Sequence, residues 1–253
     1  KYALMRTLLG VIRLIVFLAC TLFTIAWFAI GGWFVKDTIE RRFKARKFFI
    51  AWILKVLNVH IKFYGIKPNP KFNGFVIANH RSYFDPVAIL HDIDALSVAK
   101  AEVSNWPIIS TGAKMVGAIW VNRQEKDSRK AARDKMLEMV KLGYSIMIFP
   151  EGTSHTGAQM LELRNATFEM AVENGFPVLP VAIEYEHGSD AFVGNDTFIP
   201  HFLKCFGKWR TNVGVYFSEP ISGTNAIAVK EQAVATINRH IAELREDLHY
   251  KEP

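Results

Sequence analysis

A chain of 253 residues, half of them apolar, can bury a sizeable core, which excludes a disordered segment and a small disulfide-stapled scaffold. A formal charge of +7 suits anionic partners such as lipid headgroups, an acidic carrier protein or a nucleic acid. Cys20 and Cys205 form no framework, and a reducing compartment suits them.

The first predicted element is Leu14–Val35, an uncharged apolar run long enough as a helix to cross roughly 30 Å of hydrocarbon. It is longer than the apolar region of a signal peptide, and no small-residue cleavage site follows it. Lys1, Arg6 and Arg13 precede it, and Lys36, Arg41, Arg42, Lys44, Arg46 and Lys47 follow, so both ends read as cytoplasmic. The expectation is a helical hairpin or dipping anchor over residues 1–59, with Phe48–Val59 lying along the interface; the alternative is one plain transmembrane helix. The protein is placed on the cytoplasmic face of a membrane.

From residue 60 onward, short apolar runs alternate with helix-like segments. Strands are predicted at His60–Tyr64, Phe75–Ala78, Leu96–Ala99, Ala118–Val121, Ser145–Phe149, Val178–Ile183 and Asn212–Phe217. Helices are predicted at Pro86–His91, Trp106–Met115, Ser128–Leu142, Ala166–Glu173 and Ala226–His249. The alternation implies an α/β fold over residues 60–253, with a mixed central sheet flanked by helices and an N-terminal helical membrane anchor.

Two motifs carry the chemistry. NHRSYFDP (79–86) follows a strand and sets His80 five residues before Asp85. Folded back, the carboxylate can take one imidazole nitrogen and leave the other as a base. Asp85-Pro86 is also a helix-start signal, with aspartate at the cap. FPEGTS (149–154) ends a second strand in a turn where Gly152 permits a tight bend and Thr153 and Ser154 present hydroxyls.

With these motifs the chain resembles the glycerolipid (lysophospholipid) acyltransferase family, which includes bacterial 1-acylglycerol-3-phosphate acyltransferases. The stretch 100–123, from Lys100 through a Trp-Pro pair to Arg123, is similar to the family's second block. Val178-Leu179-Pro180-Val181 is similar to its fourth. The resemblance implies His80 as general base and Asp85 as its orienting carboxylate. It also implies substrate contacts from Asn79, Lys100, Arg123, Glu151, Gly152, Thr153, Ser154 and Arg164, with Arg123 at the acceptor phosphate. The implied donor is an acyl-CoA or acyl-ACP (acyl carrier protein) thioester, the implied acceptor a lysolipid, and no metal or other cofactor is required.

Two departures bear on the acceptor. Many phosphate-acceptor members follow Glu-Gly-Thr with arginine, where this chain has Ser154 and then His155; Ala166 replaces a glycine after Arg164. The stretch 194–220 looks similar to lyso-ornithine lipid acyltransferases. The resemblance still implies lysophosphatidate as first acceptor, with a lyso-ornithine lipid next. A serine hydrolase using Ser82 or Ser154 lacks the Gly-x-Ser-x-Gly elbow. A non-catalytic lipid-binding protein remains the reading from another class. Nucleic-acid binding finds no aromatic-basic motif, and Glu151 with His155 is a weak zinc pair.

Overall fold

The computed structural model describes residues 2–101, 111–113, 117–122 and 124–253. The apolar runs form a seven-stranded sheet: β1 (Val59–Gly65), β2 (Phe75–Ala78), β3 (Ala95–Lys100), β4 (Ile119–Val121), β5 (Ser145–Ile148), β6 (Val178–Tyr185) and β7 (Thr211–Phe217). Their spatial order is β1-β7-β6-β2-β5-β3-β4, and every neighbouring pair is parallel except β6 with β7. The sheet is therefore mixed, as expected. β2, β5 and β6 are buried at every position. They read as continuous apolar runs rather than alternating ones because helices cover both faces.

Alternate strand residues feed two cores. Phe75, Ile77, Ile146 and Ile148 face α4 (Lys126–Lys141), α5 (Ala166–Glu173) and α7 (Ala226–Asp247). α7 turns Val229, Ala233, Ile237, Ile241 and Leu244 inward, one apolar stripe at helical spacing. Val76, Ala78, Met147 and Leu179 face α2 (Ile39–Leu57), α3 (Asp85–Ile89) and α6 (Phe198–Phe206). Helix α6 is absent from the predicted elements; its Pro200 stands in the first turn, where a missing N–H costs nothing. The helix expected at 106–115 lies largely outside the described residues, with 111–113 helical.

α1 (Tyr2–Gly31) is long and apolar enough to cross a membrane and forms a hairpin with α2. It also packs on α6, where Gly10 lets the backbones approach; a Cβ there would stand 3.1 Å from the Leu203 carbonyl oxygen. Arg13 fixes the contact by donating to the carbonyls of Phe206 (2.8 Å), Lys208 (2.5 Å) and Trp209 (3.1 Å), which satisfies acceptors at the carboxyl end of α6. The segment 48–59, expected along an interface, divides by face. Ile50, Ile53 and Leu57 enter the domain core, and only the opposite face, with Phe48 and Trp52, is exposed. α2 then ends without a linker: Asn58 takes the left-handed conformation (φ 52°) and β1 begins at the next residue.

Candidate active site

Because β2 and β5 are parallel neighbours, with Ile77 opposite Ile148, the loops that follow them leave the same edge of the sheet. β6 runs parallel on the other side of β2 and ends at Tyr185. Three adjacent carboxyl ends thus converge where open α/β sheets form their crevices. NHRSYFDP and FPEGTS, about seventy residues apart in sequence, become one site.

At its centre, His80 Nδ1 lies 2.7 Å from Asp85 Oδ2. The same carboxylate oxygen accepts from the backbone amides of Arg81 (2.6 Å) and Ser82 (2.8 Å), while Oδ1 accepts from the Tyr185 hydroxyl (2.7 Å). Asp85 is completely buried, so these four donors hold its charge in place of water. A carboxylate given only donors puts the imidazole proton on Nδ1, leaving Nε2 as the lone-pair nitrogen. Nε2 has no hydrogen-bond partner among the described residues, and the side chain is 23% exposed. Phe149 stacks on the ring at 4.2 Å between centroids and fixes its plane. The helix-cap reading of Asp85 is corrected: the helix starts at Asp85 itself, and its side chain turns back into the loop because those amides and His80 satisfy it there.

Glu151 joins the two motifs. Its side chain is fully buried; Oε2 accepts from the His80 backbone N–H at 2.6 Å, and Oε1 accepts from His155 Nε2 (2.7 Å) and Leu161 N–H (2.9 Å). Glu151 and His155 do meet, as partners of one another. Gly152 provides the bend with a φ of +75°, where a side chain would be strained. The Ser154 hydroxyl donates to the Phe192 carbonyl, and Thr153 is exposed.

Behind the dyad lies an ionic clamp. Arg81 is 1% exposed and donates to the His155 carbonyl (2.9 Å), the Gly157 carbonyl (2.8 Å) and Glu184 Oε2 (3.1 Å). Arg245, from α7, reaches the same Glu184 oxygen at 2.8 Å and the Thr156 carbonyl at 2.6 Å. The loop after FPEGTS is thereby tied to the residue next to His80.

Other expected contacts are placed differently. Asn79 is wholly buried, and its amide exchanges two 2.8 Å bonds with the Ile183 backbone, which locks β2 to β6 and leaves none of it for a ligand. Lys100 is exposed at the end of β3, one strand beyond β5, at the same sheet edge. Arg164 is exposed ahead of α5 and does not touch the group. Arg123 lies outside the described residues. Sequence reasoning missed Tyr185, Arg81, Glu184 and Arg245. Arg81 and Glu184 carried a signal, being charged residues beside or within segments otherwise read as buried.

Known proteins resemble this chain over the segment that holds the site. The family model described as Acyltransferase matches residues 60–184, a segment that holds both motif loops and reaches Glu184. A lyso-ornithine lipid O-acyltransferase of Pseudomonas aeruginosa is 28% identical over 226 residues, covering 87% of this chain and 86% of that protein. A 1-acyl-sn-glycerol-3-phosphate acyltransferase of Neisseria gonorrhoeae is 28% identical over 121 residues; that alignment covers 47% of this chain and 48% of the relative, about half of each. The crystal structure of the 1-acyl-sn-glycerophosphate acyltransferase PlsC from Thermotoga maritima shares the fold, with a TM-score of 0.74 at 20% identity, covering 97% of this chain and 98% of that one. The motifs and these relatives converge on the acyltransferase family, whose model matches the segment that holds the site.

Proposed function

We propose that the protein transfers a fatty acyl group from a thioester, acyl-CoA or acyl-carrier protein, to the free hydroxyl of a lysolipid. The observation that carries this is His80, held through Nδ1 by a buried carboxylate with Nε2 open at the sheet edge. Nε2 removes the hydroxyl proton as the oxygen attacks the thioester carbonyl carbon. The tetrahedral oxyanion collapses, the carbon–sulfur bond breaks, and the thiolate takes the proton back from the imidazolium. Asp85 stabilises that imidazolium without itself becoming protonated. The sequence needs neither an acyl-enzyme nor a metal.

For the acceptor, a lyso-ornithine lipid now stands ahead of lysophosphatidate. A phosphomonoester is best matched by paired arginines. The position that carries arginine in phosphate-acceptor members is Ser154 here, with its hydroxyl donating to Phe192, and the next residue, His155, turns inward to Glu151. The Pseudomonas relative, aligned over most of both chains, carries the lyso-ornithine name, which supports the same choice. Purified protein in detergent, given acyl-CoA or acyl-carrier protein with each lysolipid separately, is expected to acylate the lyso-ornithine lipid faster, read by mass spectrometry. Product from lysophosphatidate alone reverses the assignment.

The working surface is a bilayer on its cytoplasmic side. Trp33, Phe34 and Val35 at the hairpin tip are 84%, 81% and 56% exposed, and Trp27, Phe48 and Trp52 continue the apolar strip along α1 and α2. Lone exposed apolar residues need no explanation, but a strip of aromatics beside basic residues fits an interface. Replacing both Trp33 and Phe34 with aspartate is expected to weaken co-sedimentation with anionic vesicles by about tenfold or more, since each large side chain contributes about 1.5–3 kcal/mol on burial. Unchanged sedimentation would remove the tip from the anchor.

A further inference from the structure

Tyr185 stands at the last position of β6, 100 residues from the aspartate it serves. It is 2% exposed, and its hydroxyl donates to Asp85 Oδ1 at 2.7 Å. Packing alone would be met by phenylalanine, because a buried hydroxyl is a liability unless it is paired. The pairing here is specific. Oδ2 of Asp85 already serves His80 Nδ1 and the amides of Arg81 and Ser82, so Tyr185 is the donor to the remaining oxygen. Burial, and then the neighbouring Asp85 charge, push the phenol well above its ordinary range, which keeps it protonated and donating throughout the working pH.

We propose that Tyr185 is a positioning residue that sets the basicity of His80 through Asp85. A hydrogen bond to the far carboxylate oxygen draws charge away from the oxygen facing the imidazole. Without it, Oδ2 becomes a stronger acceptor, the imidazolium is favoured, and His80 stays protonated to higher pH. The base works only when neutral, so the acid limb of the rate profile moves upward. The inference rests on His80 being the base. Among the described residues, the other charged and titratable groups around the dyad are Glu151 on the His80 backbone, His155 on Glu151, and Arg81 with Glu184 and Arg245. Near Tyr185 stand Asp190, paired with Lys208, and Cys205, whose thiol burial pushes up. The hydroxyl deletion touches none of these directly.

The test measures kcat/KM for the protein in detergent between about pH 5 and 9, with acyl-CoA and the lysolipid that gives product. Tyr185→Phe is expected to shift the acid limb upward by about half to one unit. Activity on that limb then falls by about three- to tenfold, and raising the pH restores it to nearly the wild-type plateau. A fluorotyrosine at 185, a stronger donor, is expected to move the limb the opposite way. It carries the test alone if the phenylalanine variant fails to fold. A limb unmoved by both, or a lowered plateau with an unmoved limb, would make Tyr185 a packing residue and overturn the proposal. His80→Ala is run alongside: if it keeps turnover, the base assignment fails instead, which separates the two outcomes.

Discussion

His80→Ala is expected to cut turnover by about 10²–10⁴-fold, the contribution typical of a positioned general base. The loss should fall on kcat rather than on lysolipid binding, because Nε2 gains its role as the hydroxyl proton leaves. The fold should survive the change. His80 is partly exposed, its side-chain partners among the described residues are Asp85 through the bond and Phe149 through the stack, and Asp85 keeps two amides and Tyr185 when the ring is gone. Initial rates at saturating donor and acceptor, with vesicle binding measured in parallel, check it. Residual turnover within tenfold of wild type would move the base elsewhere; no turnover in wild type and variant alike, with intact lipid binding in both, would favour the non-catalytic reading.

Glu184→Ala should have the largest effect on stability. It removes the one carboxylate that Arg81 and Arg245 share and leaves two guanidinium groups in a site where Arg81 is 1% exposed. Breaking a buried ion pair from one side costs about 3–5 kcal/mol, because the remaining charge is desolvated without compensation. For a chain of this size each kcal/mol lowers Tm by about 2–4 °C, so a fall of roughly 6–20 °C is expected in a thermal melt. Glu184→Gln should lose less, since the amide oxygen can still accept. Activity should fall with either variant even below the melt, because Arg81 and Arg245 hold the 155–157 carbonyls and that loop carries Glu151's partner His155. A Glu184→Ala variant that melts within a few degrees of wild type would show that the clamp is not a stability element.

Much of this was legible in the sequence, for reasons that also mark where reading stopped. The strands were visible because sheet positions covered on both faces are mostly apolar, as in VLPVAI (178–183), where all six residues are buried. His80 and Asp85 were visible because both lie in one loop. Tyr185 was not: it pairs across 100 residues from a strand whose pattern speaks only of core. Arg245 pairs with Glu184 across 61 residues, from a helix whose exposed face looks ordinary in sequence. α2 misled for a different reason. It is apolar on two faces, one for Ile50 and Ile53 in the core and one for Phe48 and Trp52 outside, and hydrophobicity alone does not distinguish them. Asn79 was singled out as a polar motif residue, but only the neighbour relation of β2 and β6 shows that its amide is spent on backbone.

The joint at Asn58 has a consequence for how such an enzyme meets its substrate. A single left-handed residue separates α2 from β1, β1 is paired with β7 along its whole length, and Ile50, Ile53 and Leu57 sit in the same core as the sheet. Anchor and reaction centre therefore move as one body, with no tether to swing on. On the bilayer surface proposed above, a lysolipid acceptor arrives by lateral diffusion within that leaflet, so its mole fraction in the surface, rather than its bulk concentration, governs the rate. Diluting the acceptor with inert lipid at constant total amount should slow turnover, while adding more vesicles of the same composition should not raise it.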